Sequence, residues 1–299
     1  MPVPSRSHLL AFAELLKPIT WFPPMWAFAC GAVASGVALS DQWLLVSIGV
    51  LLAGPMVCAT SQAVNDWFDR HVDAINEPSR PIPSGRIPGR WGLYIALLWT
   101  LLSLAVASLL GPWGFLAASA GLVLAWAYSM PPIRLKQNGW WGNLACGFSY
   151  EGLAWVTGTT VMLGGNLPEA RSIALAVLYS LGAHGIMTLN DFKSIPGDTQ
   201  LHIRSLPVQL GARRAAWIAC ATMALPQAGI VALLLWWSSP THALGVLALL
   251  VAQIALMRRF LRDPIGQALF YSGFGVPLFV GGMMVSAWAL RLSAVSTPT

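Results

Sequence analysis

The stretch WLLVSIGVLLAGPMVCATSQAVNDWFDRHVD, residues 43–73, passes directly from an apolar segment into a cluster of acids. A helix needs about 20 apolar residues to cross the hydrocarbon core of a bilayer, and residues 43–65 meet that length. Asn65, Asp69 and Asp73 then follow at intervals of four residues, which places them on one face of a continuing helix. The stretch therefore predicts a membrane-spanning helix with an acidic face at one end.

The composition extends this prediction to the whole chain. Of the 299 residues, 56% are hydrophobic and 9% are charged, whereas soluble domains contain about 25% charged residues. The four cysteines lie within apolar runs and show no spacing typical of a zinc site or a disulfide framework. Nine windows are long and apolar enough to span a membrane: 19–39, 43–65, 91–110, 113–130, 141–163, 171–190, 214–237, 241–258 and 268–290. The sequence predicts an all-α polytopic membrane protein with nine transmembrane helices in a single intramembrane domain, residues 1–299.

The basic residues are distributed unevenly between the two ends of these windows. Of the 17 Lys and Arg residues, all but Arg171 and Arg291 lie in the N-terminal segment or in the loops after windows 2, 4, 6 and 8. Because positive charge accumulates on the cytoplasmic side, we expect a cytoplasmic N-terminus and a periplasmic C-terminus. The N-terminal segment does not resemble a Ser/Arg-rich transit peptide, which favours the inner membrane of a bacterium.

The acids are concentrated on the same side as the basic loops. Asp66 and Asp73 lie seven residues apart and share a face with Asp69. Like charges this close repel one another, and a divalent cation removes the repulsion. Magnesium prefers carboxylate and water oxygens and commonly bridges to a substrate phosphate. The spacing favours a metal–phosphate site, although a solvated acidic helix end is an alternative.

A second acidic motif begins in the same way. The string NDFKSIPGD, residues 190–198, follows window 6 and repeats the Asn-Asp pair of residues 65–66. Two similar motifs at matching ends of two helices suggest an internal duplication. They predict two metal sites across a central cleft that opens to the cytoplasmic side.

Two proline-containing loops add positive charge beside the acids. Residues 77–86 contain Arg80 and Arg86, and residues 128–136 contain Arg134 and Lys136. Arginine suits bidentate recognition of phosphate. The alternative, that these are ordinary cytoplasmic charges, remains open for each residue taken singly.

Longer strings carry a family resemblance. The string NDWFDRHVDAINEPSRPIPSG, residues 65–85, resembles the chlorophyll and bacteriochlorophyll synthase branch of the UbiA-type intramembrane prenyltransferase superfamily. Residues 190–198, followed by SLPV at 205–208, are similar to the same branch. The resemblance implies magnesium-dependent transfer of a C20 prenyl group, geranylgeranyl or phytyl, from its diphosphate to the propionate carboxylate of bacteriochlorophyllide or chlorophyllide. Bacterial origin favours bacteriochlorophyllide.

The resemblance assigns expected roles to individual residues. Two magnesium ions are expected on Asn65, Asp66, Asp69, Asp73, Asn190, Asp191 and Asp198. The five aspartates of this set are the expected catalytic residues. The diphosphate is expected on Arg80, Arg86, Arg134, Lys136 and Lys193. Many relatives carry Asp-x-x-x-Asp in the second motif, and here the first of those positions is Ser194.

Further residues are candidates for contact with the organic parts of the substrates. Trp67, Phe68 and Tyr128 are candidates to stabilise an allylic cation through their aromatic faces. Glu151 is an ionisable residue inside window 5, where charge is costly and often functional, and His184 lies shortly before the second motif. Both are candidates to bind the acceptor pigment, with ordinary buried, hydrogen-bonded packing as the alternative.

Other functions compete with this interpretation. Within the superfamily, the acceptor is alternatively a quinone precursor or haem. A polytopic cation transporter and a non-catalytic pigment-binding protein are the alternatives from other classes. The expected partners are the two substrates and the lipid bilayer, with no nucleic acid. The sequence leaves open the tail donor, the oligomeric state and any pigment-biosynthesis or insertase proteins that bind.

Overall fold

The computed structural model describes residues 5–296, and this range is helical, with one isolated β-bridge between Asn138 and Arg204. Fourteen α-helices occur in the described range: α1 (Ser5–Leu16), α2 (Phe22–Ala34), α3 (Trp43–Leu51), α4 (Ala59–Asn76), α5 (Trp91–Ala107), α6 (Gly111–Ser129), α7 (Gly139–Gly147), α8 (Ala154–Met162), α9 (Ala170–Asp191), α10 (Ile195–Gln200), α11 (Leu206–Leu210), α12 (Ala212–Trp236), α13 (Pro240–Arg262) and α14 (Pro264–Ser296). The all-α prediction is confirmed.

Two π-helical segments join pairs of these helices. Leu52–Cys58, which contains Pro55, connects α3 to α4, and Phe148–Leu153 connects α7 to α8. Proline lacks a backbone N–H, so a wider helical turn is one way to accommodate it. The acidic motif at residues 65–73 therefore lies on α4, at the end of a continuous helical segment, Leu39–Ile75.

Six segments of the described range are long and apolar enough to cross a membrane. They are Leu39–Ile75, Trp91–Ser129, Ala170–Asp191, Ala212–Trp236, Pro240–Arg262 and Pro264–Ala294. Trp91–Ser129 is divided at Gly111, whose φ of 80° interrupts the helix, and α5 packs against α6. Phe22–Ala34 is a shorter apolar helix, and window 141–163 falls on α7, the second π-helical segment and α8. The count of nine spans stays a prediction.

Small residues allow several helices to approach closely, as is usual between membrane helices. A Cβ at Gly31 of α2 would lie 2.0 Å from the carbonyl oxygen of Trp155. A Cβ at Gly158 of α8 would lie 2.1 Å from that of Phe28. The backbones of α2 and α8 are therefore in direct contact. All four cysteines are free.

The loops that carry the predicted site are tied together by their backbones. The Gly139 N–H donates to Arg204 O at 2.8 Å, and the Arg204 N–H donates to Gln137 O at 2.9 Å. A Cβ at Gly139 would lie 2.6 Å from Leu206 N, so glycine permits this contact. The pairing fixes the loop after α6 against the segment that follows the second acidic motif.

Candidate active site

The carboxylates at the end of α4 are buried and paired with basic side chains. Asp66 is 1% exposed and accepts from Lys17 Nζ at 2.6 Å and from Arg80 Nη1 at 3.3 Å. The same Arg80 atom donates to Asp73 at 2.9 Å, while its other nitrogens donate to Glu77 at 2.6 and 2.8 Å. One guanidinium therefore joins two acids of the first motif, Asp66 and Asp73, to Glu77.

Asp69 is held from the opposite side by the loop after α6. Arg134 Nη2 donates to it at 3.2 Å, and Lys136 Nζ donates to its second oxygen. Asn65 Nδ2 donates both to Asp69 and to Ser129 Oγ at 3.1 Å. Burial lowers the pKa of Lys136, and the Asp69 carboxylate opposes that shift. Asp69 is thus the point where the first motif meets the second basic loop.

Two of these basic residues adopt an uncommon backbone conformation. Lys17 has a φ of 47° and Arg134 a φ of 39°. Residues other than glycine rarely adopt positive φ, and such positions cluster at functional sites. In both cases the conformation accompanies a contact between the basic side chain and an acid of α4.

The second motif holds its acids differently. Asn143 of α7 donates to Asp191 at 3.0 Å and to Thr188 at 3.2 Å. Ser194 Oγ donates to Asp198 at 2.8 Å. The residue that departs from the family pattern therefore orients the remaining aspartate. Asn190 is exposed on α9.

Each motif is hydrogen-bonded to a neighbouring helix. Asn65 of the first motif donates to Ser129 at the end of α6, and Asp191 of the second motif accepts from Asn143 of α7. The hydrogen bond from Arg80 lowers the pKa of Glu77, and the positive charge of Lys193 in the second motif acts in the same direction.

An apolar cavity begins beside this charged region. It has a volume of about 50 Å³ and is lined mainly by apolar side chains. Ser61, Tyr128 and Cys146 form the end nearest the acids, and Gly49, Ala117 and Thr157 line the remote end. The wall also contains Tyr150, whose hydroxyl accepts from Gln62 at 3.1 Å. The site combines a charged entrance with an apolar interior.

Some predicted residues lie elsewhere. Arg86 forms a two-bond pair with Glu14 of α1, at 2.6 and 2.9 Å, rather than with the acids of α4. The Arg70 guanidinium stacks 4.0 Å above the Trp67 ring, and Phe68 packs edge-on against Trp126. The rings of Trp67 and Phe68 are not among those that line the cavity, whereas Tyr128 lines it.

The two acceptor candidates also lie outside the cavity wall. Glu151 belongs to the π-helical segment after α7 and is 4% exposed. His184 lines a different, exposed groove between α7, α9 and α12, beside Trp140 and Trp141. Within the described range, Glu151 Oε2 and His184 Nδ1 have no hydrogen-bond partner. Neither side chain is among those that face the cavity.

Sequence reasoning missed Lys17 and Asn143 as members of the site. In the sequence, Lys17 is one of many basic residues predicted on the cytoplasmic side. Its partner Asp66 is 49 residues away along the chain. Asn143 lies in an apolar window. Because buried polar groups need hydrogen-bond partners, a single amide in such a window indicates a contact with another polar group.

The donor set fits a magnesium ion. Asp66 Oδ2 is buried and has no hydrogen-bond partner within the described range, so a ligand position is available there. Among residues 5–296, no three side chains of His, Cys, Asp or Glu form a metal cage by themselves. Magnesium is usually held by one or two carboxylates together with water and substrate phosphate. The protein here offers only oxygen ligands, and a substrate phosphate would complete the coordination of the ion.

Comparison with known proteins gives the family. The model of the UbiA prenyltransferase family matches residues 20–274. The chain is 57% identical over 281 residues to the bacteriochlorophyll synthase 33 kDa chain of Cereibacter sphaeroides, covering 94% of this chain and 93% of that protein. It is 40% identical over 291 residues to the chloroplastic chlorophyll synthase of Avena sativa, covering 92% of this chain and 75% of that protein.

Solved structures share the fold at low sequence identity. A structure of digeranylgeranylglyceryl phosphate synthase matches with a TM-score of 0.73 and 20% identity, covering 95% of this chain and 99% of that one. A UbiA homolog from Archaeoglobus fulgidus, bound to GPP and Mg²⁺, matches with a TM-score of 0.63 and 18% identity, covering 96% of this chain and 100% of that one. The chain belongs to the UbiA prenyltransferase family.

Proposed function

We propose that the protein transfers a C20 prenyl group from its diphosphate to the propionate carboxylate of bacteriochlorophyllide, forming an ester and releasing diphosphate. The observation that supports the reaction is an apolar cavity that reaches Tyr128, beside Ser129 and the buried carboxylates of α4. Such a site would place a diphosphate beside the acids and a prenyl tail against apolar side chains. The acceptor follows from the 57% identity to a bacteriochlorophyll synthase over 94% of the chain. The quinone, haem and transporter alternatives are not favoured.

The acids would hold magnesium together with the diphosphate. Asp66, Asp69 and Asp73 of α4 supply the first set of oxygens, and Asp191 and Asp198 supply the second. Asn65 orients Asp69, and Ser194 orients Asp198. When bound, the metal neutralises charge on the leaving group and so favours its departure. We propose two ions, one for each motif.

Basic side chains would neutralise the remaining negative charge of the diphosphate. Arg80, Arg134 and Lys136 already contact the acids of α4 and need small movements to reach a phosphate between the motifs. We add Lys17 to this set because its ammonium group contacts Asp66. Lys193 approaches from the second motif, whereas Arg86 is engaged by Glu14.

The chemistry needs little from the protein besides charge and exclusion of water. The bond between C1 of the prenyl group and the diphosphate oxygen breaks, and its electron pair leaves with the diphosphate. The faces of Tyr128 and Tyr150 line the cavity and stabilise the allylic cation. The propionate is already ionised at neutral pH, so its oxygen forms the ester bond with C1 without a general base. The apolar wall keeps water from competing for the cation.

The membrane arrangement completes the proposal. We place the nine predicted windows across the inner membrane of a bacterium as one domain, with the N-terminus and both acidic motifs on the cytoplasmic side. The concentration of basic residues in the same loops supports this orientation. The tail donor is either geranylgeranyl or phytyl diphosphate.

A direct assay of the acceptor tests the function. Purified protein, magnesium and geranylgeranyl diphosphate are mixed with bacteriochlorophyllide and chlorophyllide, and both acids and esters are followed by chromatography. We expect bacteriochlorophyllide to be esterified faster, with one diphosphate released for each ester. Loss of neither acid, with phytyl diphosphate tested as the second donor, would contradict the proposed function.

A further inference from the structure

A second cavity lies apart from the acidic motifs, in a groove between α7, α9 and α12. Its volume is about 820 Å³, within the range of roughly 300–1,000 Å³ that is common for ligand sites. Its lining is mainly apolar: Trp140 and Trp141 belong to α7, His184 to α9, and Ala221 and Leu225 to α12. The groove is therefore large enough for a ring system with an apolar body.

His184 brings a buried polar atom to this groove. The residue is 5% exposed, and within residues 5–296 its Nδ1 has no hydrogen-bond partner. A buried polar atom without a partner costs free energy and calls for an explanation, such as a ligand that is bound in the functional state. Imidazole is the commonest metal ligand among the side chains. His184 therefore favours a ligand that carries a metal or a hydrogen-bond donor.

Two indole rings lie beside the imidazole. The ring centroids of Trp140 and His184 are 5.8 Å apart, and their planes are tilted by 34°. The side chains of Trp140 and Trp141 are both exposed, so Trp140 can turn outward and uncover the His184 ring. Aromatic rings of this size stack against flat ligands and contribute a large apolar contact. The groove therefore suits a planar ligand.

The wall on α12 contains a second acceptor. Pro226 lies inside this helix and has no N–H to donate to the carbonyl of Thr222, one turn earlier. Both residues line the groove. The Thr222 hydroxyl is engaged within its own helix, where it donates to Ile218 O at 2.9 Å. An acyl chain of a lipid would offer nothing to this carbonyl or to His184 Nδ1, whereas a ligand with an electrophilic centre would.

The groove is adjacent to the second acidic motif along α9. His184 and Asp191 are seven residues apart, so they share one face of the helix and are separated by about 10 Å along its axis. Asn143 of α7 donates to both Thr188 and Asp191 and ties the two helices together between these points. A ligand in the groove therefore lies beside the end of α9 that carries the second motif.

We propose that this groove binds the macrocycle of the acceptor, a magnesium tetrapyrrole, with His184 as an axial ligand of the central magnesium. The inference rests on the proposed function, which supplies the acceptor. A tetrapyrrole gives its metal four nitrogens in one plane and leaves an axial position open. His184 Nδ1 fills that position when Trp140 turns outward, and the indoles cover the ring. The propionate at the edge of the ring then points along α9 toward the second motif.

The test measures pigment binding in the absence of prenyl diphosphate, so no turnover occurs. Purified protein is titrated with bacteriochlorophyllide and with its magnesium-free form, and binding is followed by absorption and fluorescence. Four proteins are compared: wild type, His184→Phe, Ala221→Phe and Ala232→Phe. Ala221 and Ala232 are both exposed on α12, but Ala232 does not line the groove. Thermal unfolding and size-exclusion profiles establish that each variant is folded.

We expect wild type to bind the magnesium pigment at least about tenfold more tightly than the magnesium-free form, since even the outer partners of a metal ligand contribute 10- to 100-fold. His184→Phe should reduce this preference to less than about threefold, a small residue of the same effect. Ala221→Phe should weaken binding of both pigments, and Ala232→Phe should weaken neither. Equal binding of the two pigments by wild type, an unchanged preference in His184→Phe, or wild-type binding by Ala221→Phe would overturn the inference.

Two further measurements keep the test decisive. If His184→Phe does not fold, His184→Gly takes its place: it should lose the preference for magnesium pigment and regain it with added imidazole, and no loss would count against ligation. In turnover assays, the variant at His184 should raise KM for the pigment and leave KM for the prenyl diphosphate unchanged. If wild type esterifies no pigment, the proposed function fails, and the binding titrations still decide this inference. If wild type forms the ester but does not discriminate between the two pigments, only this inference fails.

Discussion

The carboxylates of α4 are neutralised by basic residues from three separate parts of the chain. Lys17 follows α1, Arg80 lies in the loop after α4, and Lys136 lies in the loop after α6. A metal held by these carboxylates would release the cations from part of their pairing, and we expect them then to contact the diphosphate. The same groups would stabilise the developing negative charge of the leaving group.

Arg80 and Arg86 allow a matched comparison of two single substitutions. Both occur in one proline-rich loop, yet Arg80 contacts Asp66 and Asp73 whereas Arg86 contacts Glu14. We expect Arg80→Ala to lower kcat/KM by about 100-fold or more, as for loss of a charge-stabilising donor. Arg86→Ala should change it by less than about threefold, as expected for an exposed ion pair. Initial rates of ester formation measure both, and equal effects would contradict the assignment.

Lys17 gives a prediction that sequence reasoning did not supply. Lys17→Ala should raise KM for the prenyl diphosphate by about tenfold or more, because a hydrogen bond to a charged group is lost, and leave KM for the pigment unchanged. Glu14→Gln is the control, since it weakens the attachment of α1 without changing the Asp66 contact. A similar rise in both variants would show that docking of α1, rather than the ammonium group, is responsible.

Much of this site could be predicted from spacing, and the remainder could not. Residues 65–73 lie on one helix, so the shared face of Asn65, Asp69 and Asp73 follows from the period alone. The contacts of Lys17, and of Asn143 with Asp191, depend on how distant helices pack. Trp67 and Phe68 lie beside the acids in sequence, but their rings are not among those that line the cavity.

At the scale of helices, glycine positions determine how closely the spans approach. Gly158→Ala should destabilise the protein by about 1–3 kcal/mol, because its Cβ would overlap the backbone of α2. Gly229→Ala in α12 is the control, since its Cβ would meet nothing within 4 Å and alanine favours helix. Thermal unfolding in detergent should show a lower midpoint for the first variant only. Equal midpoints would contradict the close packing of α2 on α8.

The positions of the helices could be predicted from hydropathy, but the π-helical segments that interrupt them could not. The window pattern predicted where helices lie, since apolar length is visible in sequence. The division of α3 from α4 and of α7 from α8 by π-helical segments carries a weaker signal. Pro55 marks the first, whereas the second, which includes Glu151, contains no proline.

For the whole molecule, the charge asymmetry predicts an orientation that fusion proteins can measure. We expect alkaline phosphatase fused at the C-terminus to be active and green fluorescent protein fused there to be dark, because the nine predicted spans would place that end in the periplasm. A fusion in the loop after α4 should show the reverse. Fluorescence at the C-terminus would mean an even number of spans and would contradict the proposed topology.

The central claim is that the facing acidic motifs bind magnesium and diphosphate for prenyl transfer. The most direct measurement is diphosphate release coupled to ester formation, with and without magnesium, in wild type, Asp69→Ala and Asp41→Ala. Asp41 is exposed and lies before α3, far along the chain from both motifs. We predict one diphosphate per ester in wild type and Asp41→Ala, loss of both products without magnesium, and at least about a 100-fold lower rate in folded Asp69→Ala. Near wild-type esterification by Asp69→Ala would contradict the claim.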